Sequence, residues 1–317
     1  MSLIPVFIPN FTLTTFVRAL SAALLRRLSL LSCCICILSA VAHSQPLKDF
    51  SLPSVLHEAS GLYIASPDTL WWHNDSGGEP ALFATSPSGE WLDSVHVPGA
   101  VNRDWEDITV GPDGTWYLGD FGNNCNCRKD LTIYLWHRST AKLDSIRFTY
   151  PDQLAFPPPK PLWNYNMEGF FWDNDSLHLF TKNRIGQGSD VTRHYVLAAK
   201  AGEQSAMLVD SLQLDDRVVT AAAISPSGES VALLSYTYRL VAGIFPRSRA
   251  TVYIFRDFPP GRYLQGTITS YRLRSWPRPT QFEAVDFYDE TTILVGSEAT
   301  AGRSAHARWV QLKKSKK

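Results

Sequence analysis

The chain has 317 residues, of which 44% are hydrophobic and 19% charged, with 30 basic and 30 acidic residues. These proportions support a sizeable core and exclude a globally disordered chain. The charge balance excludes a nucleic-acid binder that works by counterion release.

The first 42 residues read as an export signal. Arg26-Arg27 precede an apolar run from Leu28 to Val41, and Ala40-Val41-Ala42 supplies a small-x-small cleavage pattern. That run is too short for a comfortable membrane span, and no other stretch is apolar enough to make one. An uncleaved anchor and a lipoprotein attached at Cys33 are the alternatives to a secreted or periplasmic chain. Without residues 1–42 the body is mildly acidic, and four of its basic residues are the tail lysines Lys313, Lys314, Lys316 and Lys317. Only Cys125 and Cys127 survive signal removal. They suit a local redox-sensitive clip, and zinc is excluded because two further ligands are missing.

From residue 45 onward helical signals are nearly absent. Short alternating apolar runs stand between turn clusters such as Gly111-Pro112-Asp113-Gly114 and Ser225-Pro226-Ser227-Gly228, the pattern of antiparallel strands. These runs recur with a period. Ser60, Glu106, Glu168, Thr220 and Glu283 open equivalent strands, with steps of 46, 62, 52 and 63 residues between them. Each step fits one four-stranded blade, so the expected fold is an all-β, five-bladed β-propeller over residues 45–312. Residues 313–317 form a basic tail. The last blade is one strand short, and Leu47 to Leu52 can supply the missing strand and close the ring.

Inner strands line a propeller's channel, and each second strand returns antiparallel beside the start of the first. Glu58/Ser60, Asp104/Glu106, Asn166/Glu168, Val218/Thr220 and Gln281/Glu283 are therefore expected at one mouth. The second-strand ends Asn74-Asp75, Asp120, Lys182-Asn183, Tyr236 and Glu298 join them there. So many acids in one place require a bound cation, protonation, or neutralisation by Lys182, Arg184 and Arg239. Calcium is the expected cofactor, on Glu58, Glu106, Glu168 and Glu283. Asn74, Asp75, Asp120, Asn123, Tyr236 and Glu298 are expected to line a pocket for a small polar or anionic ligand. Asp104, Glu106, Lys182 and Arg239 are the candidate catalytic groups. An inter-blade bonding role competes for Glu106, Glu168 and Glu283, and a plain solvated charge competes for Lys182 and Arg239. Trp71, Trp72 and Trp105 lie nearest the expected mouth. A serine hydrolase built on Ser60 with His57 and His73 is discounted, since no Gly-x-Ser-x-Gly turn is present.

The strings Asn74-Asp75-Ser76-Gly77, Asp104-Trp105-Glu106-Asp107-Ile108, Gly119-Asp120-Phe121-Gly122-Asn123-Asn124 with Arg128, Glu168-Gly169, Thr220 to Gly228 and Glu283-Ala284 resemble exported bacterial propellers. These are grouped as SdiA-regulated and esterase-like-phytase propeller proteins. The resemblance spans most of residues 55–300 and implies a secreted propeller that holds calcium; the phytase-like name implies phosphomonoester hydrolysis. Cys125-Asn126-Cys127 departs from that pattern.

Three functions follow in order: a ligand-binding propeller with an acidic, calcium-holding mouth, a metal-assisted hydrolase of phosphoesters or glycosides at the same mouth, and a protein-binding scaffold. A monomer is expected.

Overall fold

The computed structural model describes residues 47–182, 191–214, 217–241, 245–273, 280–300 and 302–313, with backbone alone for 238–241 and 245–247. The expected export signal, Asn183, Arg184 and the last four residues of the expected tail lie outside the described residues.

Five antiparallel sheets follow one another along the chain. A short strand, β1 (Phe50–Ser51), comes first. Blade one holds β2 (Ala59–Ser66), β3 (Thr69–Asn74), β4 (Ala81–Thr85) and β5 (Trp91–His96). Blade two holds β6 (Trp105–Val110), β7 (Trp116–Asp120), β8 (Thr132–His137) and β9 (Lys142–Thr149). Blade three holds β10 (Asn166–Asp173), β11 (Ser176–Lys182), β12 (Val191–Ala198) and, after the short β13 (Gly202–Ser205), β14 (Met207–Gln213). Blade four holds β15 (Val218–Ile224), β16 (Val231–Val241), β17 (Phe245–Arg256) and β18 (Thr267–Arg272). Blade five holds β19 (Phe282–Asp289), β20 (Thr292–Ser297) and β21 (His306–Gln311), and β1 completes it by pairing with β21.

The expected architecture is the one observed, with two differences in detail. β13 leaves its own blade and pairs in parallel with β9, covering the outer edge of blade two. The β16–β17 hairpin is also longer than its apolar core, because ladder pairing continues through polar residues as far as Val241↔Phe245.

The blades are held by five hydrophobic clusters, one at each blade-to-blade seam. The tryptophans serve these seams. Trp72 and Trp105 are fully buried, Trp71 nearly so, and Trp71 meets Trp116 edge-on at 5.7 Å. None of the three lines the mouth, because burying indole area between sheets is worth more than exposing it.

Every inner strand carries a register shift at its opening. The shifts fall between Ala59 and Leu62, Trp105 and Asp107, Met167 and Gly169, Val219 and Ala221, and Phe282 and Ala284. The repeated residues Ser60, Glu106, Glu168, Thr220 and Glu283 are thus the bulged ones. A bulge frees a residue from its partner strand and re-aims its side chain. Just below this level the channel closes. A Cβ on Gly169 would stand 2.6 Å from the Ala221 carbonyl carbon and the Ala222 nitrogen. Asp107 Oδ2 accepts from Phe170 N at 3.0 Å and Ala222 N at 3.3 Å, so one side chain of blade two ties blades three and four across the axis.

Candidate functional site

The five bulged positions divide by chemistry. The two hydroxyls bond to the blade that follows: Ser60 Oγ donates to Glu106 O at 2.6 Å, and Thr220 Oγ1 donates to Phe282 O at 2.7 Å. Ser60 therefore has its hydroxyl committed to a backbone carbonyl, and His73 packs against Gly61. The three glutamates leave those seams and meet on the axis, with one carboxyl oxygen from each of Glu106, Glu168 and Glu283 within 4.8 Å of the other two.

Lys182 stands among them. Its Nζ lies 2.8 Å from Glu168 Oε2 and 3.8 Å from Glu283 Oε2, and 6.0 Å from the centre of the Tyr236 ring. Glu168 is the best supported of the three acids, since Asn166 Nδ2 also donates to its Oε1 at 2.5 Å. Burial pushes Glu106 and Glu283 well above the usual carboxylate range; Glu168 raises each further, and Lys182 draws each back. Glu168 is raised by the same burial, and Lys182 opposes it most strongly. The surrounding carboxylates hold the Lys182 ammonium charged against its own desolvation.

A second carboxylate group sits at the same mouth and shares Glu106. Oxygens of Asp75, Asp104 and Glu106 also lie within 4.8 Å of one another. Burial, with Glu168, Asp104 and Glu298 as neighbours, pushes Asp75 up to about 8. Desolvation also raises Asp104, against the pull of Arg128. Among the described residues, no lysine or arginine is within ion-pair distance of Asp75, Asp104 or Glu106.

The loop after β7 is built around this group. A Cβ on Gly122 would stand 2.1 Å from Glu106 Oε1 and 2.4 Å from the Asp104 carboxyl, so a side chain there would displace the loop or the two carboxylates. The same loop carries the Cys125–Cys127 disulfide.

Other expected site residues are occupied elsewhere. Asn74 Oδ1 accepts from Glu58 N, and its Nδ2 donates to Val55 O. Asp120 does the matching task one blade on, accepting from Asp104 N at 3.0 Å while Arg128 Nη2 pairs with it at 3.1 Å. Asn123 is the hub of its own loop: its Oδ1 accepts from Cys127 N and Arg128 N, and its Nδ2 donates to Tyr165 O. Glu58 stands apart from both carboxylate groups, half-exposed beside His57. Glu298 accepts from Gln281 Nε2, and Tyr236 donates to Gln281 Oε1 at 3.3 Å. Arg239 belongs to the β16–β17 hairpin, opposite Arg247, and its side chain lies outside the described residues. Gly122 and Arg128 stand in the quoted motif string without a role; the structure gives them one, as the close crossing over Asp104 and Glu106 and the partner of Asp120.

No family model matches the chain, and no curated protein matches it. The resemblance to the SdiA-regulated and esterase-like-phytase proteins therefore rests on the quoted motifs alone. Solved structures with a similar fold include Penicillium chrysogenum alpha-L-arabinanase complexed with arabinobiose, at 11% identity and TM-score 0.48, covering 84% of this chain and 98% of that one. The PQQ-bound aldose sugar dehydrogenase of Streptomyces coelicolor matches at 12% and 0.42, covering 82% and 96%. A gluconolactonase of Xanthomonas campestris matches at 9% and 0.39, covering 84% and 88%. The chain spans 64% of the hydrazine synthase chain of Kuenenia stuttgartiensis that it also matches. At such identities no residue role transfers.

Proposed function

We propose that this chain is a ligand-binding propeller whose mouth takes a calcium ion on Asp75, Asp104 and Glu106. Beside that ion and Lys182 it would take a small polar ligand rich in oxygen acceptors. The observation that carries this reading is the contrast between the two carboxylate groups. Around Glu168 and Glu283, Lys182 already supplies the positive charge. Asp75, Asp104 and Glu106 face one another equally closely, and among the described residues no lysine or arginine stands within ion-pair distance of them. Hard carboxylate oxygens suit calcium. The disulfide supports an exported location, where thiols oxidise and calcium is plentiful.

Thermal unfolding tests the reading. At a hundredfold excess over Kd, binding stabilises by about 2.7 kcal/mol, a rise of roughly 5 °C or more for a domain of this size. Protein stripped with EDTA should lose that increment, Ca²⁺ should restore it, and Asp104→Asn should remove the response. Identical melting in EDTA and Ca²⁺ would take the metal out of the site.

A second reading, a metal-assisted hydrolase, is favoured by one observation: desolvated carboxyls and the Lys182 ammonium stand at the same mouth. There Asp104 or Glu106 would take a proton from water, the ion would polarise the substrate, and Lys182 would meet the developing anion. Chromogenic phosphate, ester and glycoside substrates, assayed with and without Ca²⁺, decide it; turnover that survives loss of both Glu106 and Glu168 eliminates this mechanism.

A further inference from the structure

The opposite end of the channel holds a second cavity. It has a volume of about 440 Å³ and is walled by the far ends of all five inner strands, including Tyr63, Ile64, Trp172, Ile224, Asp286 and Phe287. That volume lies within the range of small-molecule sites, roughly 300–1,000 Å³. The cross-axis bonds of Asp107 and the close approach at Gly169 separate it from the acids at the other mouth. It is therefore a site distinct from the acidic mouth.

Its lining has one sign of charge. The ionisable lining acids are Asp173 and Asp286, and no lysine, arginine or histidine lines the cavity. Asp173 is engaged, accepting from the Tyr263 hydroxyl at 2.5 Å and from Asn174 Nδ2 at 2.9 Å. Asp286 differs. Its Oδ2 accepts from Ile64 N at 2.7 Å and its Oδ1 from Phe287 N at 2.8 Å, two backbone donors that aim the carboxylate and leave its charge without a counter-ion among the described residues. Burial pushes it up to about 7, with no neighbouring cation drawing it down. Tyr63, the neighbour of Ile64, lines the same cavity, so an aromatic ring shares it with the acid.

A carboxylate fixed by backbone donors, without a counter-ion among the described residues, beside aromatic and aliphatic walls is the recognition chemistry of an organic ammonium. The ammonium pairs with the acid and rests on ring faces, while the apolar body fills the remaining space. We propose that this cavity binds a small organic monocation with an apolar body, its charge held by Asp286 and its body packed against Tyr63, Ile64, Trp172 and Ile224.

The probe is benzylamine, with benzyl alcohol as its neutral isostere and benzoate as its anionic counterpart, followed by saturation-transfer NMR and tryptophan fluorescence. Wild-type protein should bind benzylamine saturably and at least tenfold more tightly than benzyl alcohol, and should not bind benzoate. Asp286→Asn should bring the amine down to the level of the alcohol. Ile224→Trp, which fills the cavity, should abolish amine binding while the thermal response to Ca²⁺ stays as in the wild type. Equal binding of amine and alcohol by the wild type overturns the proposal without reference to any variant. Amine binding that persists in Ile224→Trp places the cation on the acids of the other mouth and overturns it as well.

Discussion

Lys182 decides the electrostatics of the axial cluster, because among the described residues it is the single ammonium in ion-pair contact with the glutamates there. Replacing it by methionine keeps its length and removes its charge. Taking one partner from a buried pair leaves the other charge uncompensated, at a cost of about 3–5 kcal/mol. Glu168 and Glu283 have an escape, which is to bind protons. A carboxyl whose folded pKa lies above its unfolded value contributes stability below the unfolded value and loses it as pH rises through the folded one. Lys182→Met raises both glutamates further, so its cost should be small at pH 5 and reach about 3 kcal/mol at pH 8. Urea unfolding of wild type and variant at the two pH values, with EDTA present, measures the difference. Equal cost at both would mean that the glutamates do not titrate with the cluster. The same sign governs Asp75: pushed up to about 8, it makes the calcium-free wild type lose stability as pH climbs from about 4 through 8.

At the scale of elements, the bulge at the head of each inner strand and the loop after β7 build the site together. The bulge turns Glu106 out of its ladder, and the loop crosses close enough that Gly122 has no room for a side chain. Gly122→Ala should therefore push the loop off Asp104 and Glu106. We expect a loss of about 1–3 kcal/mol from overpacking, together with loss of the stabilisation by Ca²⁺ that Ala substitution at the exposed Gly114, at the other end of its blade, leaves intact. A Gly122→Ala protein with an unchanged Ca²⁺ response would separate the loop from the site. The repeat was legible because turn, bulge and apolar alternation recur together at Ser60, Glu106, Glu168, Thr220 and Glu283, and a repeated strand fixes a repeated direction. What was not legible is which polar residues are used up in holding loops. Asn74, Asp120 and Asn123 look like ligands in a string of residues, yet each answers a backbone N–H that the turn leaves open, a demand seen only once the turn's geometry is known. Pairing of β13 with β9 in the next blade is a long-range choice with no local pattern behind it.

For the whole molecule the question is closure. Five seams each carry a hydrophobic cluster, and the seam between blades five and one depends on the chain's early residues, since Leu52, Leu56 and Ala59 share a cluster with Ala284, Leu294 and Ala307. β1 pairs Phe50 with Ala307 and Ser51 with His306, and Leu52 N continues the ladder to Ala305 O at 2.8 Å. A chain beginning at Pro53 should lose the burial of Leu52, about 1.5–3 kcal/mol, and the ladder bonds with it. It should also leave β21 as a bare edge, open to pairing with another chain. Compared with a chain beginning at Leu47, it should unfold at lower urea and associate as concentration rises, read by sedimentation. The three axial glutamates belong to blades two, three and five, so a ring loosened at the seam between blades five and one would move Glu283 relative to Glu106 and Glu168. The truncated chain should therefore also respond less to Ca²⁺, through displacement of the Lys182 cluster that shares Glu106 with the proposed ion. A shortened chain with unchanged urea midpoint would show that the seam cluster closes the ring without the strand.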